Sequence, residues 1–113
     1  MPKKRVILEL GCGNDLHGSD YTKAALRAVQ DALHHSSLTF VRTLKIDKTR
    51  LDVDVTIGVQ QPERVDLEAI KKTLPIGNVT VRAVKGGLDV DDAEHKDRAV
   101  IASAAIAVRI DAA

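Results

Sequence analysis

The sequence predicts a single α+β domain, a two-layer sandwich in which two helices cover one face of a mostly antiparallel sheet. Two observations carry this prediction. Apolar, β-branched stretches alternate with two amphipathic helical segments in the order β-α-β-β-α-β-β. With 113 residues and 44 % hydrophobic content, the chain is long enough for one core and too short for two.

The first strand and the first helix follow one another directly. Residues 6–10 (VILEL) are apolar apart from one glutamate, which predicts a mostly buried strand that ends at Gly11. Residues 20–35 lack glycine and proline and repeat apolar residues every four positions, which predicts a helix capped by Ser19 or Asp20. The many alanines on its apolar stripe imply that this helix lies close to the surface that it covers.

Two further strands are predicted before the second helix. Residues 38–46 place most of their apolar side chains on one side, and residues 47–50 have the composition of a turn. Residues 51–59 alternate without error between apolar and polar or small side chains. This is the most strongly predicted strand in the chain. We expect one buried and one solvent-exposed face, and antiparallel pairing with the preceding strand.

The second helix is predicted over residues 66–74, with Asp66 as its N-cap. Leu67, Ile70 and Leu74 share one face of this helix. Proline and glycine residues follow directly and end it.

The C-terminal part of the chain predicts an oligomer. A strand over 79–83 stops at the Gly86–Gly87 pair, and an acidic loop over 88–97 leads to a final strand over 98–110. That last strand is apolar on both faces, yet two helices can cover only one face of the sheet. We therefore expect the outer face to meet another subunit of a homo-oligomer. The alternative is a central strand whose alanines are merely tolerated.

Two known topologies fit this order of elements. The first six elements match the ferredoxin-like pattern. The chorismate-mutase and YjgF-like topology, built from similar parts, is the nearest alternative. Both arrangements commonly occur as oligomers.

Composition excludes several classes of function. A formal charge of +1 and an aromatic content of 2 % offer neither a basic surface nor stacking platforms for nucleic acid. The same low charge gives no reason to bind an anionic membrane, and no apolar run approaches a membrane span. The single cysteine excludes an internal disulfide, and the N-terminal apolar stretch is too short for a signal peptide. We expect a soluble, cytoplasmic protein.

The segment GCGNDLHG, residues 11–18, is the candidate functional site. It joins the end of the first strand to the start of the first helix, where ligands meet free backbone amides and the positive end of the helix. Glycine lets the backbone approach a ligand closely because no Cβ intervenes.

One interpretation of this segment is a divalent metal site, such as a zinc site, or an acid–base pair. Asp15 and His17 are two residues apart, so in an extended segment they project to the same side. A third ligand would be needed, and the sequence does not choose among the candidates. These are His34, His35, His95, Glu94, the acidic cluster at 89–92 and a residue of another subunit.

A second interpretation is an anion site for a carboxylate or phosphate. The glycine amides and the helix start would bind the anion, with Lys23 or Arg82 as counter-charge. The ligand-binding residues would then be Gly11, Gly13, Asn14, Gly18 and Lys23.

Two other interpretations need no ligand or a different chemistry. In the simplest, Asp15 accepts hydrogen bonds from loop amides, His17 bonds a backbone carbonyl, and the glycines allow the turn. Alternatively, Cys12 is a nucleophile with His17 as its base, although a cysteine between glycines is more often inert.

The same segment resembles a family signature. GCGNDLHG followed by SDYTKAALRAVQDAL is similar to the GxGxDxHG motif and adjoining helix of small uncharacterised proteins found across bacteria and in plants. The motif positions are Gly11, Gly13, Asp15, His17 and Gly18. The resemblance covers the whole chain and implies a functional site at this loop, but it implies no reaction. A shorter similarity links Asp15-Leu16-His17 to the metal-binding DxH of zinc-dependent cyclodiphosphate synthases.

These observations predict an oligomeric protein that binds a small molecule or a metal at residues 11–18. If it is an enzyme, His17 is the acid–base residue, because histidine exchanges protons near neutral pH, and Asp15 sets its tautomer. The alternative is a non-catalytic interaction module that acts through its oligomeric surface.

Overall fold

The computed structural model describes residues 3–34, 50–74 and 77–111. Within these ranges the chain forms five strands, two α-helices and one 3₁₀ turn, Pro62–Arg64. The helices are α1 (Tyr21–Leu33) and α2 (Leu67–Lys71). The strands are β1 (Lys3–Asp15), β2 (Asp52–Val59), β3 (Asn78–Lys85), β4 (Leu88–Asp92) and β5 (Asp97–Asp111).

All five strands belong to one mixed sheet. Its order is β1-β5-β2-β3, and β4 pairs with the beginning of β5. Because β5 is antiparallel to both β1 and β2, while β3 is parallel to β2, the strands β1, β2 and β3 all run in the same direction. Their C-terminal ends therefore lie at one edge of the sheet, where α1 begins.

The predicted α+β class is confirmed, but the predicted order of elements is not. The described chain runs β-α-β-α-β-β-β, with both helices contributing to one buried core. Residues 88–92 were predicted as a solvated acidic loop, which is wrong, since Leu88 and Val90 alternate with aspartates as in a hairpin strand. The strand predicted over 38–46 lies outside the described residues. The sheet, predicted as mostly antiparallel, is mixed, because β2 and β3 are parallel.

Both helices begin at the residues that the sequence predicts. The side chain of Asp20 accepts a hydrogen bond from the Lys23 amide, and that of Asp66 accepts one from the Ala69 amide. The Ile70 side chain of α2 is fully buried, whereas Leu67, predicted on the same face, is 37 % exposed. None of the described helices has the length and hydropathy to cross a membrane.

The observed strand β1 differs from the predicted first strand in its length and in which of its residues are buried. The strand continues past Gly11 to Asp15 because residues 11–15 pair in register with residues 100–104 of β5. Of the apolar run, Ile7 is buried, but Leu8 and Leu10 are 45 % and 61 % exposed. These leucines lie on the side of the sheet that faces away from the helices.

We call that side the open face. The register and the burial pattern assign to it the even-numbered residues of β1 from Leu8 to Asn14, those of β2, β3 and β4, and the odd-numbered residues of β5. The residues that point to the opposite side, including the three valines and the isoleucine of β2, are buried under the helices.

Helix α1 packs on β1 through direct backbone contact. Gly11 and Gly13 face the helix, and a Cβ atom on Gly13 would lie 2.3 Å from the Ala28 amide nitrogen. A Cβ on Gly11 would lie 2.5 Å from the Ala32 amide nitrogen. Atoms of real side chains do not approach so closely, so any larger residue would push the helix away from the sheet. The structure thus gives these two glycines a packing role within the strand.

We predict that Gly13→Ala lowers the free energy of unfolding by about 3 kcal/mol, because the added methyl must displace helix backbone. Chemical denaturation measures this change. Lys71→Ala is the control, since Lys71 is exposed on α2 and lies outside the sheet. Equal stability of Gly13→Ala and the parent chain would contradict the packing role.

Candidate functional site

The candidate site is the corner between β1 and α1, residues 15–20, at the edge where β1, β2 and β3 end. Gly18 has a φ of 98° and Ser19 a φ of 54°, so two successive left-handed residues turn the chain from strand to helix. Gly18 adopts this conformation without cost, whereas Ser19 requires the rest of the corner to hold it. Gly18 is the motif glycine whose backbone conformation needs glycine.

The side chain of Asp15 connects the corner to helix α1. Its side chain is buried, and Oδ2 accepts a hydrogen bond from the Asp20 amide at 3.0 Å. Oδ1 lies 3.8 Å from a guanidinium nitrogen of Arg27, which also donates to the Asn14 carbonyl at 2.7 Å. The buried carboxylate is therefore balanced by one cation and one amide from α1 and its cap. This matches the simplest interpretation of Asp15, as a group that satisfies loop amides.

His17 reaches across to the start of β5. Its Nδ1 lies 2.7 Å from Oδ2 of Asp97, although the imidazole itself is 85 % exposed. Because an ionised carboxylate can only accept, Nδ1 carries the hydrogen, and Nε2 of the neutral ring is left as an acceptor. The Gly18 and Arg98 amides donate to the other oxygen of Asp97, at 3.3 and 2.8 Å.

These contacts hold Asp97 in its charged form. The hydrogen bond from His17, followed by those from the Arg98 and Gly18 amides, lowers the pKa of Asp97 below its usual value. The result is an oriented Asp97–His17 pair that links the corner to β5.

The predicted site residues therefore separate into different roles. Asp15 and His17 bond to different groups, so Asp97, and not Asp15, sets the tautomer of His17. The Lys23 amide belongs to the helix cap, and Asn14 lies on the open face. A ligand-binding role for Gly11, Gly13, Asn14, Gly18 and Lys23 stays a prediction.

A zinc site does not form from the described residues. Across 3–34, 50–74 and 77–111, no three His, Cys, Asp or Glu side chains are grouped to hold a metal ion. Of the proposed third ligands, His95 instead pairs with Asp92 of its own turn at 2.8 Å. With Asp15 and His17 engaged elsewhere, the donor set among the described residues does not fit zinc. The proposed ligand His35 lies outside the described residues.

A second polar cluster lies beside this corner, around Tyr21. The Tyr21 hydroxyl donates to Oδ2 of Asp89 at 2.5 Å and accepts from the Gln61 amide at 3.1 Å. Arg98 lies 3.7 Å from the same carboxylate oxygen. Burial, reinforced by the hydrogen bond to Asp89, raises the pKa of Tyr21. Oδ1 of Asp89 is buried without a hydrogen-bond partner among the described residues.

Sequence reasoning missed Asp97 and Arg98, and it named Asp89 only within the acidic cluster proposed as a source of a third metal ligand, not as the partner of Tyr21. All three fall in or beside the stretch that was predicted as a solvated acidic loop. Register is the signal that could have found Asp97, because Asp15 pairs with Val100 and the chain beyond Asp15 must then approach the beginning of β5. That signal requires knowing that the first and last strands are neighbours.

The fold and the corner together define a small α+β protein with a mixed five-stranded sheet and an exposed, oriented histidine–aspartate pair. The chain belongs to the Lin0512 family of conserved hypothetical proteins, which matches residues 5–108. The predicted resemblance to a family of uncharacterised proteins is confirmed at that level.

One solved structure is similar over the whole chain. It is the crystal structure of an FtsZ-like protein of unknown function from Nostoc punctiforme. The two sequences are 34 % identical, the match covers 99 % of each chain, and the TM-score is 0.85. No curated protein matches the sequence.

We predict that Tyr21→Phe lowers the free energy of unfolding by about 1–3 kcal/mol, because Asp89 loses its donor in a largely buried position. Denaturation of the single variants Tyr21→Phe and Asp89→Asn and of the double variant measures the coupling. A coupling free energy above about 0.5 kcal/mol is expected for groups in contact. Strict additivity would contradict this prediction.

We also predict that the stability gap between the parent chain and Asp97→Asn depends on pH. The pKa of Asp97 is lower in the folded chain, so its stabilising effect is fully present above the unfolded carboxyl pKa of about 3.9. The gap shrinks as the pH falls below that value and disappears below the folded pKa. Thermal unfolding from neutral to acid pH measures it, with Glu63→Gln, an exposed acid on the 3₁₀ turn, as control. A gap that persists unchanged in acid would contradict the prediction.

Proposed function

We propose that this protein is an oligomeric small-molecule-binding protein whose ligand binds at His17. The observation that carries the proposal is the Asp97–His17 pair, in which an 85 % exposed imidazole is held at 2.7 Å by a carboxylate from a distant part of the chain. Exposed side chains ordinarily keep their rotamer freedom, which costs entropy to remove. An orientation fixed in advance suits binding to a ligand.

The chemistry of the pair favours a ligand with a hydrogen-bond donor. With Nδ1 directed to Asp97, the exposed Nε2 can accept from a hydroxyl or an amine. If the protein is an enzyme, the same arrangement makes His17 a general base, and the carboxylate stabilises the imidazolium that forms on proton transfer. Gly18, Asn14 and Lys23 flank this position in the chain and are the proposed additional contacts.

A second histidine shows what distinguishes this pair. His95 also directs Nδ1 to a carboxylate, Asp92, at 2.8 Å, and its side chain is 75 % exposed. That pair joins residues three apart in one hairpin turn, so the turn accounts for it. The His17 pair joins the end of β1 to the beginning of β5, 80 residues away in the chain, and the Gly18 amide bonds to the same carboxylate.

The alternative function, an interaction module without catalysis, is favoured by a different observation. The open face exposes several large apolar side chains, Leu10 most of all at 61 %. The Nostoc protein is described as FtsZ-like and of unknown function, so it adds no ligand to either proposal.

A thermal-shift screen of hydroxy acids, amino acids and phosphate esters tests the proposed ligand site. A compound at a hundred times its dissociation constant adds about 2.7 kcal/mol of stability. We expect at least one compound to stabilise the parent chain and His95→Gln, but neither His17→Gln nor Asp97→Asn. The proposal fails if every stabilising compound acts equally on His17→Gln, or if no compound stabilises the parent chain.

A further inference from the structure

The open face concentrates the exposed apolar surface of the described chain. Eight large hydrophobic residues within the described ranges are exposed, and five of them lie on this face. They are Leu8 (45 %), Leu10 (61 %), Val84 (44 %), Leu88 (54 %) and Val90 (47 %). Apolar residues scattered singly need no explanation, but a continuous patch of this kind marks a surface that binds something.

On the open face, large side chains lie next to a row of small ones. Leu8 and Leu10 on β1 form what we call the ridge. Beside it lies what we call the trough, formed by the small residues Thr56, Gly58, Ser103 and Ala105 of β2 and β5. Two adjoining cavities of about 560 and 370 Å³ meet at Thr56 and Ala105 in this trough, and the smaller one is also lined by Asp54, Arg82 and Arg109. A ridge next to a trough of similar length is self-complementary, because rotating one copy over another sets each ridge above the other's trough.

The size of the open face fits a folded partner. Strands lie about 4.8 Å apart and rise about 3.3 Å per residue, which gives the face a flat area of roughly 500 Å². Two such faces in contact would bury about 1,000 Å², the lower limit of a specific protein–protein interface. A small ligand or a single extended peptide would leave most of this area in water.

We infer that a second copy of this chain packs on the open face, with a two-fold axis along β5. This rotation places β1 of each copy over β2 of the other, so that Leu10 lies over Thr56 and Cys12 over Gly58 in the trough. Leu8 lies over Asp54, which pairs with Arg109 of its own chain. The alanines of the two β5 strands meet along the axis. Face-to-face sheets with closely aligned strands are a common packing mode. The interface is isologous, as in most homodimers.

Charge at one end of the face agrees with this orientation. Arg5 of β1 and Asp52 of β2 both pair in register with Arg109 of β5, one on each side of it. The same two-fold axis therefore brings Arg5 of each copy opposite Asp52 of the other. Arg109 of the two copies meets on the axis, where Asp54 of its own chain neutralises each guanidinium. The exposed apolar side chains concentrate toward the other end of the face, at Leu10, Val84 and Leu88.

This pairing supplies the partner for the oligomer proposed above, and its test does not involve His17. Sedimentation equilibrium of the full chain should give twice the chain mass. Leu10→Glu should give the mass of one chain, since it buries two unpaired carboxylates at the ridge. Leu16→Glu is the matched control, because Leu16 is 60 % exposed but lies on the corner loop, and it should remain a dimer. Circular dichroism checks that both variants fold.

Cys12 provides a second measurement. It is the single cysteine of the chain and is exposed in an isolated copy. It lies opposite Ser103 at the edge of the trough. Its alkylation by iodoacetamide should be several-fold slower in the parent chain and in Leu16→Glu than in Leu10→Glu. A parent chain that sediments as one copy, a trimer or larger particle, or a Leu10→Glu dimer with slow alkylation would each overturn the inference. The dimer mass is measured with Leu10→Glu and the ligand response with His17→Gln, so failure of one proposal can be distinguished from failure of the other.

Discussion

The backbone contact between α1 and β1 is the constraint on which the rest of the molecule depends. Gly11 and Gly13 bring the alanines of the helix against the strand with no side chain between them. This close approach fixes how far α1 stands from the sheet, and therefore where its first turn meets the end of β1. The cap at Asp20, the buried Asp15 and the Arg27 contact all act across that short gap. A helix one methyl further from the sheet would separate these groups and release the corner that holds His17.

Much of the fold could be predicted from local patterns. Residues 51–59 alternate so regularly that β2 follows from periodicity, and the two aspartate caps follow from their position before apolar helical repeats. The sheet order could not be predicted, because nothing local in β5 states that it lies between β1 and β2. The exposure of the β1 leucines could not be predicted from local patterns either. Their burial was expected from hydrophobicity, but which side of a strand faces the helices depends on where the glycines must go.

The strand-to-helix corner was predicted from the sequence, but the contacts of its side chains were predicted only in part. Residues 15–18 do form a constrained strand-to-helix corner, since short polar and glycine-rich stretches between a strand and a helix have few alternatives. The partner of His17 could not be found, because Asp97 is 80 residues away and lies in a stretch whose acidity suggested solvent. Two of the three glycines that suggested a ligand cradle are explained by helix packing instead, which leaves Gly18 as the glycine required by the corner itself.

The position of β5 in the chain has a consequence for how the molecule is made. Among the described strands, β1, β2 and β4 all pair with β5, which is the last of them to be synthesised. Until it emerges, β1 has no described neighbour, and β2 can pair with β3 alone. Contacts between such distant parts of a chain close large loops and slow the search for the native state. The nascent chain must therefore keep an aliphatic first strand and an alanine-rich helix out of wrong associations until translation reaches the strand that unites them.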